Sequence, residues 1–488
     1  MVIQTATIVK PMVNTMKPRN SITVIDNRTG KTIEIEIKDN SVPATAFAQL
    51  KSSYADGERP ENDTPYGLRI LDPSFMNTAM ISSEITYIDG NKGFLMHRGY
   101  PIEQLAEKST YLETSYLLIY GELPTKSQLD LYQWEIMHHT FVAEDLQKML
   151  AQMRYDSHPM SVFIAAFSAM AAFNPEANPA LQGSDLYINS KSVMNKQIVR
   201  ILGKATTIAA MAYRIRINRS FTPPRSDLSY TENLLYMMDH MSEPYNYRPD
   251  PRLSKALDVL FILHADHEMN CSTSTMVHVG SSLVDPYSCI AAASAALYGP
   301  LHGGANEAVI RMLSKIGSIE NVPSFLEKVK QKKELLFGFG HRVYRETDPR
   351  SKVIREVADS VFEVCGKEPL IEVAIALKDA ALSDEYFTSR KLFPNVDYWS
   401  GLIYKAMGFP LDFFPVLFVV PRLSGYLAHW KQQLDSGKNK ISRPRQVYVG
   451  KGRRDYTPLE KRDERIITDR NGVQEIPHYM SKRRLTKI

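Results

Sequence analysis

Cysteine is scarce, with only Cys271, Cys289 and Cys365 among 488 residues. Three cysteines cannot build a disulfide framework, which points to a reducing compartment. Long apolar runs are missing too. The longest, Ser161 to Phe173, Cys289 to Leu297 and Phe413 to Val420, are shorter than the roughly 18–20 residues of a membrane helix, and Pro415 interrupts the last. The expectation is a chain with no membrane span. Dinucleotide fingerprints, a Walker loop and internal repeats are absent, so redox-cofactor and nucleotide chemistry have no motif to rest on.

What is present is globular: 44% hydrophobic, 10% aromatic and 23% charged residues exclude disorder, collagen and coiled coil for most of the chain. The length suits two to four domains, or one large domain with an insertion. Charge is unevenly placed. From Ser436 onward 15 Lys/Arg face six Asp/Glu, a balance of +9; with +5 in total, the rest carries −4. A basic tail can serve nucleic acid, but here acids are interleaved, aromatics are sparse, and the body carries no nucleic-acid signature. A solvated tail over an anionic-substrate site is expected instead. Residues 1–20 hold Lys10, Lys17 and Arg19 and no acid, compatible with a transit segment or a plain cytosolic start. The final Leu485-Thr486-Lys487-Ile488 loosely echoes a peroxisomal ending. Cytoplasm, mitochondrion and peroxisome are the compartments left open.

Alternation in Ile22–Ile25 and Ile33–Ile37 around Asn27-Arg28-Thr29-Gly30 predicts a β-hairpin, and Ile85–Ile88 with Gly93–Leu95 a second. Residues 50–66 read as a loop. From about 100 onward helical periods dominate, at 102–105, 111–120, 126–139, 146–154, 160–173, 193–216, 230–240, 252–268, 286–297, 304–316, 323–332, 350–365 and 369–379. The chain is expected to be mainly α with a small β start.

Polar residues collect in four islands. The first, His264-Ala265-Asp266-His267-Glu268, ends an apolar helix; a helix end satisfying its own carbonyls and a metal site both suit it, although the order is neither His-Glu-x-x-His nor His-x-x-Glu-His. The second, Tyr298-Gly299-Pro300-Leu301-His302-Gly303-Gly304-Ala305-Asn306-Glu307, places His302 before a helix whose positive end disfavours imidazolium. A neutral imidazole there can donate a hydrogen bond to a developing enolate, and Gly303 and Gly304 let a ligand approach the backbone; an ordinary Gly-rich helix start is the alternative. The third, Gly338-Phe339-Gly340-His341-Arg342-Val343-Tyr344-Arg345, leads to Asp348 as N-cap and Pro349 at the first helical position. Arg350 then sits in the first turn, against the dipole preference, as a bound-anion contact or a surface residue. The fourth, Phe393-Pro394-Asn395-Val396-Asp397-Tyr398-Trp399, holds a carboxylate that is either a desolvated base or a helix cap. Arg422 lies in an apolar segment and needs an anionic partner if buried, whereas Arg443 and Arg445 pass as surface residues. Histidines, one carboxylate and several arginines suit abstraction of a proton alpha to a carbonyl beside a doubly anionic substrate.

At these residues the chain resembles the citrate synthase family, in its bacterial-type branch of citrate, 2-methylcitrate and alkylcitrate synthases. The matching motifs are the four islands, Asp348-Pro349-Arg350 and Arg443-Pro444-Arg445-Gln446, in the family's order, over about Ser21 to Tyr456. The resemblance implies a mainly α citrate synthase fold. Its parts are an extension at 1–20, a β-containing segment at 21–100, a large helical domain at 101–301 and 402–456, a small one at 302–401 and a basic tail at 457–488. It further implies catalysis by His302, His341 and Asp397, oxaloacetate binding by His267, Arg350, Arg422 and Arg443, and a CoA-phosphate contact at Arg345 with a possible adenine cradle at 335–340. Arg443 would act in trans in a homodimer or larger assembly. No metal and no cofactor is implied; oxaloacetate and an acyl-CoA are the small-molecule partners, and neither nucleic acid nor membrane is a partner. Many relatives carry Arg and then a small apolar residue where this chain has Val277-His278, and the stretch from Arg422 to Arg443 is one residue longer than in a common bacterial form.

The implied activity is Claisen-type condensation of acetyl-CoA with oxaloacetate, then hydrolysis of citryl-CoA to citrate and CoA. The alternatives are the same chemistry on a longer acyl-CoA, giving 2-methylcitrate or an alkylcitrate, a metal-dependent hydrolase using His264, His267 and His302, and a non-catalytic CoA- or organic-acid-binding relative.

Overall fold

β1 (Ser21–Asp26) and β2 (Lys31–Glu36) form the expected antiparallel hairpin, in the register Ser21↔Glu36 to Asp26↔Lys31. Alternation turns Ile33 and Ile35 inward, where with Leu50 they make a small core. The turn closes through Asp26, whose carbonyl accepts the Thr29 and Gly30 N–H groups. The structure is a computed structural model that describes residues 20–51, 67–244, 246–340, 343, 344, 346 and 348–462. Residues 1–19, most of the 50–66 loop, His341, Arg342, Arg345 and the tail after 462 therefore lie outside the described residues.

Two compact units divide the chain. The first, residues 1–80 with 444–488, holds the β1–β2 hairpin. The second, residues 81–443, spans 101–301, 302–401 and 402–443, whereas 444–456, expected in the large helical domain, fall in the first unit. It starts with a three-stranded antiparallel sheet of β3 (Thr86–Asp89), β4 (Phe94–His97) and β5 (Tyr100–Pro101). Helices follow: α1 (Ile102–Lys108), α2 (Tyr111–Tyr120), α3 (Lys126–His138), α4 (Glu144–Ala151), α5 (Pro159–Phe173), the single turns α6 (Pro179–Gln182) and α7 (Leu186–Asn189), α8 (Lys191–Arg216), α9 (Tyr230–Asp239) and α10 (Pro251–His264). Then come α11 (Cys271–Gly280), α12 (Pro286–Leu297), α13 (Ala305–Ile316), α14 (Val322–Lys330), α15 (Arg350–Cys365), α16 (Leu370–Leu382), α17 (Glu385–Thr388), α18 (Val396–Ala406) and α19 (Phe414–Asp435).

α19 is the spine of this unit. It is apolar on all sides and packs against α2, α8, α10, α11 and α12. Pro415 does not interrupt it, contrary to the expectation from sequence. It sits in the first turn, where a missing N–H costs nothing. The helical stretch Leu411–Asp435 is long and apolar enough to cross a membrane, yet 89% of its most apolar window is buried inside the protein. Pro421 does lie inside α19. An undisturbed helix would pair the Pro421 carbonyl with the Gly425 N–H. Here each has a partner outside α19: Tyr111 Oη donates to Pro421 O at 3.1 Å, and Gly425 N–H donates to Ala265 O at 3.1 Å.

Three helices that carry site residues escaped the periodicity. α11 reads Cys-Ser-Thr-Ser-Thr at its start, a run of poor helix formers, and packing on α12 and α19 overrides that preference. α18 is short, and α19 has no stripe because every side is buried. The helix expected over 252–268 stops at His264 instead. Glu268 adopts φ +52°, outside the helical region, with its N–H on Asp266 Oδ2 at 3.2 Å and its Oε1 accepting the Ile88 N–H at 2.9 Å.

Candidate active site

The first island is a turn between α10 and α11. His264, at the buried end of α10, donates from Nδ1 to Leu260 O at 2.7 Å, and burial holds its imidazole well below the ordinary value. It is a structural helix-end histidine. His267 is buried three residues beyond the helix, with Nε2 3.2 Å from Tyr344 Oη. Among the described residues no group of three or more His, Cys, Asp or Glu is placed to hold a metal ion.

His302 is delivered by the turn before α13, where its N–H donates to Gly299 O at 2.9 Å. The adjoining glycines serve the chain itself. A Cβ on Gly303 would come within 2.4 Å of Leu297 Cδ2, and one on Gly304 within 2.9 Å of Tyr298 O. They are needed for the turn to pack closely, a role the sequence reading did not include. The His302 ring points its Nε2 at the start of α11, 3.4 Å from the Ser272 N–H and 2.8 Å from Ser272 Oγ. The backbone N–H can only donate to Nε2, whereas Ser272 Oγ, which donates to Asn270 Oδ1 at 2.8 Å, can only accept from it, so the two contacts call for opposite ring tautomers. Burial, and after it the Arg422 charge, pulls the imidazole down to about 4. A helix N-terminus does disfavour the imidazolium, but it is that of α11 rather than α13.

The third and fourth islands are tied together. Gly340 N–H donates to Phe393 O at 2.8 Å, Asn395 N–H to Gly338 O at 2.9 Å, and Asn395 Nδ2 to Gly340 O at 3.0 Å. Gly338, with φ +77°, is pressed against Val309 and Tyr398, where a Cβ would come within 2.7 Å. Asn395 caps α18 by accepting the Asp397 N–H at 3.0 Å, so Asp397 is a first-turn residue and not the cap. Its Oδ1 is enclosed and has no hydrogen-bond partner among the described residues. Burial raises this carboxyl to about 6, although Arg350 pulls the other way.

Asp348 and Pro349 behave as expected. Pro349 has helical dihedrals, φ −59° and ψ −27°, and Asp348 Oδ1 accepts the Arg350 N–H at 3.0 Å. Asp348 also pairs with the Arg350 guanidinium through Nε at 3.0 Å and Nη2 at 2.7 Å, while Nη1 reaches Leu263 O at 3.4 Å. Burial works against the Arg350 charge, and the Asp348 carboxylate more than offsets it. Arg422 is different. It is 1% exposed, donates from Nε to His264 O at 2.6 Å and lies over the Phe418 ring at 4.9 Å. Among the described residues no carboxylate makes an ion pair with it. Its charge acts on both His302 and Asp397, and that of Arg350 on Asp397, so the four buried groups lie within electrostatic reach of one another.

The structure thus brings together His302, Asp397, Arg350 and Arg422, and it buries His267 on the turn that follows α10. Arg443 stands apart, exposed in the irregular stretch after α19. His341 and Arg345 fall outside the described residues. Sequence reasoning missed Ser272, Tyr344 as partner of His267, and Asp348 as partner of the Arg350 guanidinium. The cap Asn270, whose Oδ1 accepts the Thr273 N–H at 3.0 Å, was the available signal for α11 and hence for Ser272.

Comparison with known proteins agrees with this geometry. The family model described as "Citrate synthase, C-terminal domain" matches residues 74–445. The chain is 54% identical over 467 residues to a citrate synthase of Dictyostelium discoideum, covering 96% of this chain and 88% of that protein. It is 56% identical over 446 residues to that organism's peroxisomal citrate synthase, covering 91% and 88%. It is 51% identical over 469 residues to the glyoxysomal citrate synthase of Cucurbita maxima, covering 96% and 89%. Among solved structures, citrate synthase from Pyrobaculum aerophilum superposes with a TM-score of 0.72 at 36% identity, over 80% of this chain and 97% of that one. A ternary complex of the Thermoplasma acidophilum enzyme with carboxymethyl coenzyme A and oxaloacetate gives 0.72 at 31%, over 79% and 98%. Sequence, fold and the buried cluster of histidine, carboxylate and arginine agree: the chain belongs to the citrate synthase family.

Proposed function

We propose that Asp397 and His302 are the catalytic pair with which this chain carries out the citrate synthase reaction on oxaloacetate and an acyl-CoA. The observation that carries the assignment is a difference in protonation. Asp397 offers an enclosed oxygen with no partner among the described residues and stays ionised above about pH 6, while His302 is neutral. Asp397 takes a proton from the methyl group of acetyl-CoA. A carboxylate is too weak a base to do this alone, so a ring N–H of neutral His302 hydrogen-bonds the thioester oxygen as enol character develops. The new carbon nucleophile attacks the oxaloacetate ketone, whose oxygen His341 polarises. Hydrolysis of citryl-CoA releases citrate and CoA. His267 and the Arg350 and Arg422 guanidinium groups hold oxaloacetate; Arg422 is supported as a carboxylate contact because no described residue supplies it with one.

These residues divide between the two implied domains, His267 and Arg422 in the large one, His302, Arg350 and Asp397 within 302–401. We take 302–401 as the part that closes over the substrates and excludes water. Arg443, exposed in its own subunit, reaches the partner's site in a homodimer. Arg345 meets a CoA phosphate. No resident cofactor is needed for these steps. The relatives named peroxisomal and glyoxysomal support a peroxisome-type compartment.

Asp397→Asn abolishes condensation while oxaloacetate binding survives, since the amide keeps the shape and loses the base. In the parent enzyme kcat/KM for the acyl-CoA rises with pH through a limb centred near 6, because only the ionised carboxylate accepts the proton. A limb centred below pH 4.5, or turnover by the Asn variant, removes Asp397 from this role. Mixing inactive Arg443→Ala protein with inactive Asp397→Asn protein restores part of the activity once subunits exchange, because each hybrid dimer holds one site with both residues intact; absence of rescue despite proven exchange excludes action in trans. Thiol release from a series of acyl-CoAs, with enzyme dialysed against a chelator, favours acetyl-CoA undiminished by the dialysis. One methylene changes the preference by about 1–3 kcal/mol. A higher kcat/KM for hexanoyl- or octanoyl-CoA makes the chain an alkylcitrate synthase instead. An internal fluorescent fusion that leaves both termini native co-localises with a peroxisomal marker; co-localisation with mitochondria refutes the assigned compartment.

A further inference from the structure

Three residues on one face of α19, Arg422, Gly425 and His429, meet three successive residues of the turn that leads into His267. Arg422 Nε donates to His264 O at 2.6 Å, Gly425 N–H donates to Ala265 O at 3.1 Å, and His429 Nε2 lies 3.4 Å from Asp266 Oδ2. Spacings of three and four residues place them in one row along the helix. The fit is close, because a Cβ on Gly425 would come within 2.3 Å of Asp266 Oδ1 and 2.6 Å of Ala265 O.

Asp266 is the fully buried end of this row. Burial alone would neutralise it, but His429 and then His97 and Arg422 hold its carboxyl down at about 2, so it is ionised. An ionised carboxylate only accepts, which orders the protons around it. Thr86 Oγ1 donates to Asp266 Oδ2 at 2.6 Å and must therefore accept from His97 Nδ1, 2.8 Å away. His429 donates from Nε2. The Glu268 N–H completes the set at 3.2 Å. Asp266 is thus the point where α19, strand β3 and the His267 turn are joined. It is also one of the negative charges that sustain Arg422 without occupying its guanidinium.

We infer that Asp266, held by His429 and Thr86, is a positioning residue that sets the register of Arg422 against His267, so that the two arrive at oxaloacetate as one preformed clamp. The inference rests on the assignment of His267 and Arg422 to oxaloacetate. In the full-length enzyme, Asp266→Asn is expected to raise the Kd and KM for oxaloacetate at least tenfold while the KM for acetyl-CoA stays within twofold. His429→Ala is expected to do the same, and the Asp266→Asn/His429→Ala double variant to be no worse than either single one. His429→Gln, which keeps a donor of similar reach, recovers most of the oxaloacetate affinity. Thr86→Val removes one hydroxyl only and gives a measurable version of the same selective loss should the Asn variant not fold. Arg422→Leu separates the two layers of the proposal. If it leaves oxaloacetate binding intact, the underlying assignment fails. If it abolishes binding while Asp266→Asn, His429→Ala and Thr86→Val lower only the melting temperature, or weaken both substrates equally, the positioning role is overturned and the network is merely structural.

Discussion

A guanidinium buried without a carboxylate of its own is the constraint on which this fold turns. Taking the Arg422 charge out of water costs several kcal/mol in real proteins unless partners restore the lost solvation. The chain restores part of it with the His264 carbonyl and the Phe418 ring. Both contacts need α19 in the middle of the helical unit and α10 ending against it. The remaining demand is for an anion, which is the ground for assigning Arg422 to a carboxylate of the substrate. The features that deform α19 near this residue, Pro421 inside the helix and Gly425 against the turn, are parts of the same arrangement.

Burial also acts on the two groups proposed as the catalytic pair, and moves them in opposite directions. Desolvation penalises whichever form is charged. It lifts the Asp397 carboxyl to about 6 and lowers the His302 imidazole to about 4. Above about pH 6 the carboxyl is ionised, and is a stronger base than in water, while the imidazole is neutral. Arg350 is the counter-case in the same space. Its bidentate bond to Asp348 keeps it charged, so it stands as a fixed positive group that restrains the rise of Asp397.

Much of this was legible in the chain itself. The hairpin and most helices follow from alternation and apolar stripes, since these depend on residues a few positions apart. The islands around His267, His302, Asp397 and Arg422 stood out because polar groups beside apolar runs need partners, and the family resemblance rested on those same residues. Tertiary structure alone decided the rest. It ended α10 at His264, made helices of 271–280 and 414–435 against weak local signals, and showed that Gly303 and Gly304 pack on their own turn. It also decided which of two arginines already has an anion. The physical reason is range. Propensity and periodicity act within a few residues, whereas the Ser272–His302, Asp266–His429 and Arg422–His264 contacts join segments about 30 to 160 residues apart, and desolvation exists only once those segments have closed around one another.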